Sequence, residues 1–125
     1  MTIQAKISPP IFITLAEYAH AVRHYIETTS DERGYIPKWK WTIDSLADRI
    51  SMSKYKSWKK KKMLKKYNFE IKINEALALL EGLQSETKIN VLQQEIIDIL
   101  HQLLINKNFS SESLNKKISQ AIIIN

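Results

Sequence analysis

Cysteine is absent from the 125 residues, which removes disulfide staples, thiolate zinc sites, iron–sulfur clusters and cysteine nucleophiles together. Glycine occurs twice and proline three times. That is too few to build the tight turns of a sandwich or barrel, and no glycine-rich loop can cradle a nucleotide's phosphates. No run approaches the roughly 18 apolar residues that span a bilayer. The patch Ile11-Phe12-Ile13 follows Pro9-Pro10 and only Lys6 precedes it, so it makes a poor secretory signal and the expected location is cytoplasmic. What is present, 44% apolar and 26% charged residues, is the composition of one small folded domain over residues 1–125.

Positive charge is abundant and unevenly placed. The net charge is +6, yet residues 38–66 hold eleven basic residues against Asp44 and Asp48, while both flanking segments are slightly acidic. That stretch has no Glu, so its lysines lack acidic partners at i,i+4 spacing. Repulsion of this kind is tolerated where a polyanion neutralises it.

Apolar periodicity predicts an all-α fold, a bundle of five or six helices. Leu15, Tyr18, Ala19, Val22, Tyr25 and Ile26 make one stripe behind Pro9-Pro10, and the polar run 29–34 predicts a stop near Thr28. Residues 35–41 alternate large apolar and basic side chains, which predicts an extended segment with Trp39 and Trp41 on one side and Lys38 and Lys40 on the other. Thr42 is the expected N-cap of a short helix carrying Leu46, Ala47 and Ile50. Ser53 is the expected cap of a lysine-rich helix over 54–66. Asn74 is expected to cap a helix with Ala76, Leu77, Leu80 and Leu83 inward. The longest helix is expected over 86–105, with Ile89, Leu92, Ile96, Ile99, Leu100, Leu103 and Leu104 as its buried face and the spine of the core. A last helix is expected after Ser110 or Ser111, through Leu114, Ile118, Ala121 and Ile122. Residues 69–73 alternate and are the one candidate for a short extended piece.

Few residues invite catalysis. Glu17, His20 and His24 share a helical face at i, i+3, i+7, a spacing at which two histidines can hold a metal, but a flank exposed to solvent explains them as well. His101 reads as a boundary histidine, and Met52, Tyr55, Trp58 and Met63 as packing rather than a cofactor box. No acidic pair is isolated in an apolar setting that would suit general acid work. The expectation is a protein without enzymatic activity, metal or cofactor.

Residues 35–66 remain, pairing cations with aromatics. Cations replace the counterions of phosphates, and aromatic faces stack unpaired bases. Lysine is a flexible point charge without the planar fork that reads guanine edges. The residues nominated for a nucleic-acid backbone are therefore Lys38, Lys40, Arg49, Lys54, Lys56, Trp58, Lys59, Lys60, Lys61, Lys62, Lys65 and Lys66. A basic helix that merely faces solvent is the plainer alternative. Binding to acidic phospholipid is disfavoured for want of a strong apolar face.

Leu46-Ala47-Asp48-Arg49-Ile50-Ser51-Met52-Ser53-Lys54 resembles the first helix and turn of a helix-turn-helix regulator. The positions that would lock its second helix hold Ser57 and Lys60, and the usual turn glycine is Ser51. In overall character, a helical, cysteine-free, basic chain with a lysine-rich middle and no active site, the sequence is similar to the small subunits of CRISPR interference complexes, type I-D Cascade in particular. That resemblance implies a helical bundle present in several copies, with partners among the other effector subunits, further copies of itself, guide RNA and target or displaced DNA. The isoleucine-rich end Ala121-Ile122-Ile123-Ile124 exceeds what one helical face buries and is a candidate for docking onto another chain. A plain protein-interaction bundle is the third reading.

Overall fold

The computed structural model describes residues 2–33 and 36–107, without the side chains of residues 30–33. The expected final helix and the isoleucine-rich end lie outside the described residues. Within them the chain is mostly helical, with a two-stranded sheet that an all-α fold lacks.

Strand β1 (Thr2–Ile7) pairs antiparallel with β2 (Tyr67–Lys72), in a register that sets Ile3 opposite Ile71, Ala5 opposite Phe69 and Ile7 opposite Tyr67. The sequence of β1 alternates without a fault, so Ile3, Ala5 and Ile7 turn inward while Thr2, Gln4 and Lys6 stay exposed. On the outer face the Gln4 side-chain amide donates to the Glu70 carboxylate at 3.1 Å. The ribbon's inner face meets Ile11 and Leu15 of the first helix and Ile96 and Leu100 of the last described one.

Helix α1 (Pro9–Arg33) is the longest element at 25 residues and runs through the core, burying Phe12, Leu15, Ala16, Ala19 and Ile26. It does not stop at Thr28. The hydroxyls of Thr28 and Thr29 donate back to the carbonyls of His24 and Tyr25, which keeps these polar residues inside the helix. Tyr25 belongs to the expected stripe yet is exposed.

Helix α2 (Lys38–Arg49) starts at the residues expected to be extended. On a helix, residues two apart lie on opposite sides: Trp39 is 9% exposed and Trp41 is 48% exposed. Trp39, Ile43, Leu46 and Ala47 form the buried stripe, and the period of 3.6 prevails over the apparent period of 2. Pro37 precedes the helix, and Thr42 lies inside it, its hydroxyl donating to the Lys38 carbonyl at 3.3 Å.

Helix α3 (Met52–Lys59) is capped by Ser51, whose hydroxyl accepts from the Lys54 N–H at 3.1 Å. Ser53 lies too late in the chain to do this. The helix ends at Lys59 rather than Lys66, because Trp58 is its one buried residue and nothing apolar beyond it faces the core. Residues 60–66 form a loop with a Lys65 N–H to Lys62 carbonyl turn, pinned by the Lys62 N–H donating to the Tyr67 hydroxyl at 3.2 Å.

Helix α4 (Ile73–Ser85) begins before Asn74, and the Glu75 carboxylate accepts the Lys72 N–H at 2.9 Å. Ala76, Leu79, Leu80 and Leu83 are buried and Leu77 is partly so. Gly82 is needed where α4 crosses Tyr18 and Trp39. A Cβ there would collide with the Tyr18 hydroxyl and come within 2.7 Å of Trp39 Cζ3.

Helix α5 (Val91–Asn106) starts five residues later than expected, because Asn90 and Gln93 form a reciprocal capping box. Ile96, Ile97, Leu100 and Leu104 are its buried residues, with Leu92, Ile99 and Leu103 at the margin. The spine of the core is thus α1, which packs against α2, α3 and α5. Among the described residues no helix is long and apolar enough to cross a membrane.

Candidate nucleic-acid interface

The lysine-rich segment is divided by the fold. Lys54, Lys56 and Lys59 lie on α3, and Lys60, Lys61, Lys62, Lys65 and Lys66 on or beside the loop that follows, so eight cations fall on one short helix and its loop. Lys56, Lys59, Lys60, Lys62, Lys65 and Lys66 are exposed, and Lys54 and Lys61 half-buried. Lys38 and Lys40 begin α2, about 16 Å of helix away from its far end where α3 starts. They do not join the cluster. The Lys40 ammonium rests 3.6 Å from the Tyr25 ring centroid.

Two nominated residues have other tasks. Trp58 is buried and stacks on Phe12, with ring centroids 4.2 Å apart and planes 9° from parallel, and Phe69 and Tyr67 meet it edge-on. Its faces are not open to a base. Arg49 forks onto the buried Glu75 through Nε at 3.0 Å and Nη2 at 2.5 Å. The guanidinium offsets the cost of burying that carboxylate, which a free Arg49 would leave unmatched.

Arginine makes all three ion pairs among the described residues, and no lysine joins one. Asp44 and Asp48, the two acids within the basic stretch, both bind Arg23, at 2.8 and 2.6 Å. These hydrogen bonds hold the Arg23 charge more firmly than usual and push its pKa up. The lysine charge therefore stands without acidic neighbours from its own segment. What steadies it is aromatic. The Lys59 ammonium lies 5.1 Å from the Tyr55 ring centroid, and Lys61 lies 4.5 Å from Tyr67 and 5.5 Å from Trp58. Lys54 sits 5.5 Å from Phe69 and Lys65 5.8 Å from Tyr67. Each contact aims a cation at a ring's electron-rich face, and the aromatics of this region serve the lysines rather than a ligand.

The row Glu17, His20, His24 is split. The Tyr55 hydroxyl donates to Glu17 at 3.2 Å, His20 Nε2 lies 3.2 Å from the Ile50 carbonyl, and His24 is exposed. Glu17, His20, Arg23, Asp48, Ser51 and Tyr55 border a cleft of about 460 Å³ between α1 and the α2–α3 turn. Among the described residues no three His, Asp or Glu side chains converge as metal ligands. His101 is half-buried, 3.4 Å from the Gln84 amide.

For the helix-turn-helix reading, α3 should lock onto α2. It packs on α1 instead, through Trp58 on Phe12. Sequence reasoning also missed a feature of the loop. Met63 is 68% and Leu64 97% exposed, an apolar pair between lysines, and the signal was their position in the run Lys62-Met63-Leu64-Lys65.

Comparison of the chain with protein-family models, with curated proteins and with solved structures finds no match.

Proposed function

We propose that α3 and the loop after it bind nucleic acid through its phosphate backbone, with little sequence preference. One observation carries this reading: eight lysines crowd into residues 54–66, on α3 and the loop after it, none of them ion-paired among the described residues. Lysine supplies mobile point charge to phosphate oxygens, and the one arginine of residues 38–66, Arg49, is engaged with Glu75. The resemblance to CRISPR small subunits supplies a setting in which base pairing carries the sequence information and protein need only hold backbone. The β1–β2 ribbon departs from the all-helical bundle of that resemblance, so the proposal rests on the lysine surface.

Fluorescence anisotropy with a labelled duplex tests it. Neutralisation of about five phosphates by lysines gives a log–log salt slope near −4.5. Changing Lys59, Lys60, Lys61 and Lys62 to Ala makes that slope shallower by roughly one for every phosphate no longer neutralised, and weakens all sequences alike. Arg49→Ala lowers stability by about 2 kcal/mol, because it strands a buried carboxylate, and leaves the slope unchanged. Absence of salt-dependent binding to any polynucleotide overturns the proposal, and a preferred palindromic site bound as a dimer favours the regulator instead.

A further inference from the structure

We propose that the groove beside the lysine loop receives an unpaired nucleobase, so that the preferred ligand is single-stranded rather than duplex nucleic acid. The inference rests on the backbone reading and narrows it.

The groove, of about 540 Å³, lies between the first turns of α1, the end of α3, the loop and α5. That size falls within the roughly 300–1,000 Å³ of ordinary ligand sites. Pro9, Ile13, Met63 and Leu92 give it apolar walls, and Lys59 and Lys61 line it as well. Both ammoniums are positioned, Lys59 over Tyr55 and Lys61 over Tyr67. Glu17 lines the same groove, its carboxylate accepting from the Tyr55 hydroxyl.

This combination sorts the possible occupants. Apolar walls suit the flat face of a base, and lysines suit the phosphates on either side of it. A carboxylate repels phosphate but accepts from a base's ring N–H or exocyclic amine, so the base points inward and the backbone stays on the lysines. An acidic peptide would bring its own carboxylates against Glu17. A bilayer is flat and meets protrusions rather than concave sites, which leaves the groove unfilled. Paired and stacked bases cannot enter without unstacking, and an unpaired strand spares that cost.

The experiment compares a labelled oligothymidylate of about 15 nucleotides with an abasic oligomer of equal length, which keeps the phosphates and lacks the bases. The full chain is expected to bind the oligothymidylate about tenfold more tightly, equal to about 1.4 kcal/mol. Met63→Ser, at an exposed loop position that the fold does not depend on, is expected to shrink that preference about threefold while affinity for the abasic oligomer and its salt slope stay unchanged. Leu92→Ser, on α5, is expected to act in the same direction. Equal affinity of the unaltered chain for the two oligomers overturns the base site and leaves backbone binding standing. Salt-dependent binding to neither oligomer overturns both. Capture by phosphatidylserine vesicles that Leu64→Ser abolishes, with no base-dependent preference, also overturns the base site.

Discussion

Glu75 and Glu81 are both buried on α4, at 2% and 6% exposure, and the fold treats them differently. Glu75 has Arg49 and the Lys72 N–H as partners. Glu81 has its charge disfavoured by burial, which pushes its pKa above the ordinary 4.5. Between 4.5 and the raised value the native state holds this proton more tightly than the unfolded chain does, so stability falls as pH rises through that window. Its contribution is whole below 4.5. Glu81→Gln should therefore match the unaltered protein near about pH 4 and exceed it near about pH 7, measured as urea midpoints. A constant difference at all pH values would show that Glu81 does not titrate differently on folding. Tyr18 is a further buried polar group nearby, its hydroxyl without a hydrogen-bond partner among the described residues and its pKa pushed up by burial and by Glu86. Gly82 makes room for that hydroxyl. These demands arise where α1, α2 and α4 cross, so no local pattern announces them.

At the scale of the element, α3 decides how the lysines are presented. A helix of eight residues is too short to hold itself, and Ser51 at one end and Trp58 at the other attach it to the rest. Trp58→Ala should cost about 3–5 kcal/mol by emptying the stack on Phe12, and should speed amide exchange throughout residues 52–66. Were Trp58 a stacking platform for bases, the same change would lower oligomer affinity and spare stability. The sequence pointed to a helix over 54–66 because lysine is a good helix former. What ends it at Lys59 is the lack of an apolar anchor beyond Trp58, and this depends on where Phe12, Tyr67 and Phe69 stand. Elsewhere the periodic signal served well. The apolar stripes of α1, α4 and α5 lie where their spacing put them, apart from the exposed Tyr25. Threonine back-bonding moves the end of α1 and side-chain caps move the starts of α3 and α5, whereas the helical residues 38–41 and strand β1 depart from the expectation in kind.

For the whole molecule, the ribbon matters more than its size suggests. It ties residues 2–7 to residues 67–72 and closes a loop containing α1, α2, α3 and the lysine segment. Removing residues 1–7 exposes Phe69 and Ile71 and deletes Ile3, Ala5 and Ile7 from the core. Burial of each large side chain contributes about 1.5–3 kcal/mol, so the loss rivals the whole stability of about 5–15 kcal/mol of a small domain. The shortened chain should lack a cooperative thermal transition by circular dichroism. A transition within a few degrees of the full chain's would show the ribbon to be peripheral. Thr2–Ile7 alternates regularly but was not expected as a strand, because its partner lies sixty to seventy residues away and only pairing gives such a short segment its stability.

The sequence by itself determined the predominance of helix, the apolar faces that meet in the core and the concentration of positive charge in the middle of the chain, because periodicity and composition are local and survive any packing. Tertiary structure alone decided that Trp58 is buried, that Arg49 belongs to Glu75, that Lys38 and Lys40 stand apart from the other lysines, and that Met63 borders a groove with Pro9 and Leu92. Each of these depends on which residues distant in sequence come together, and the free energy of their meeting is set only when the whole chain has packed.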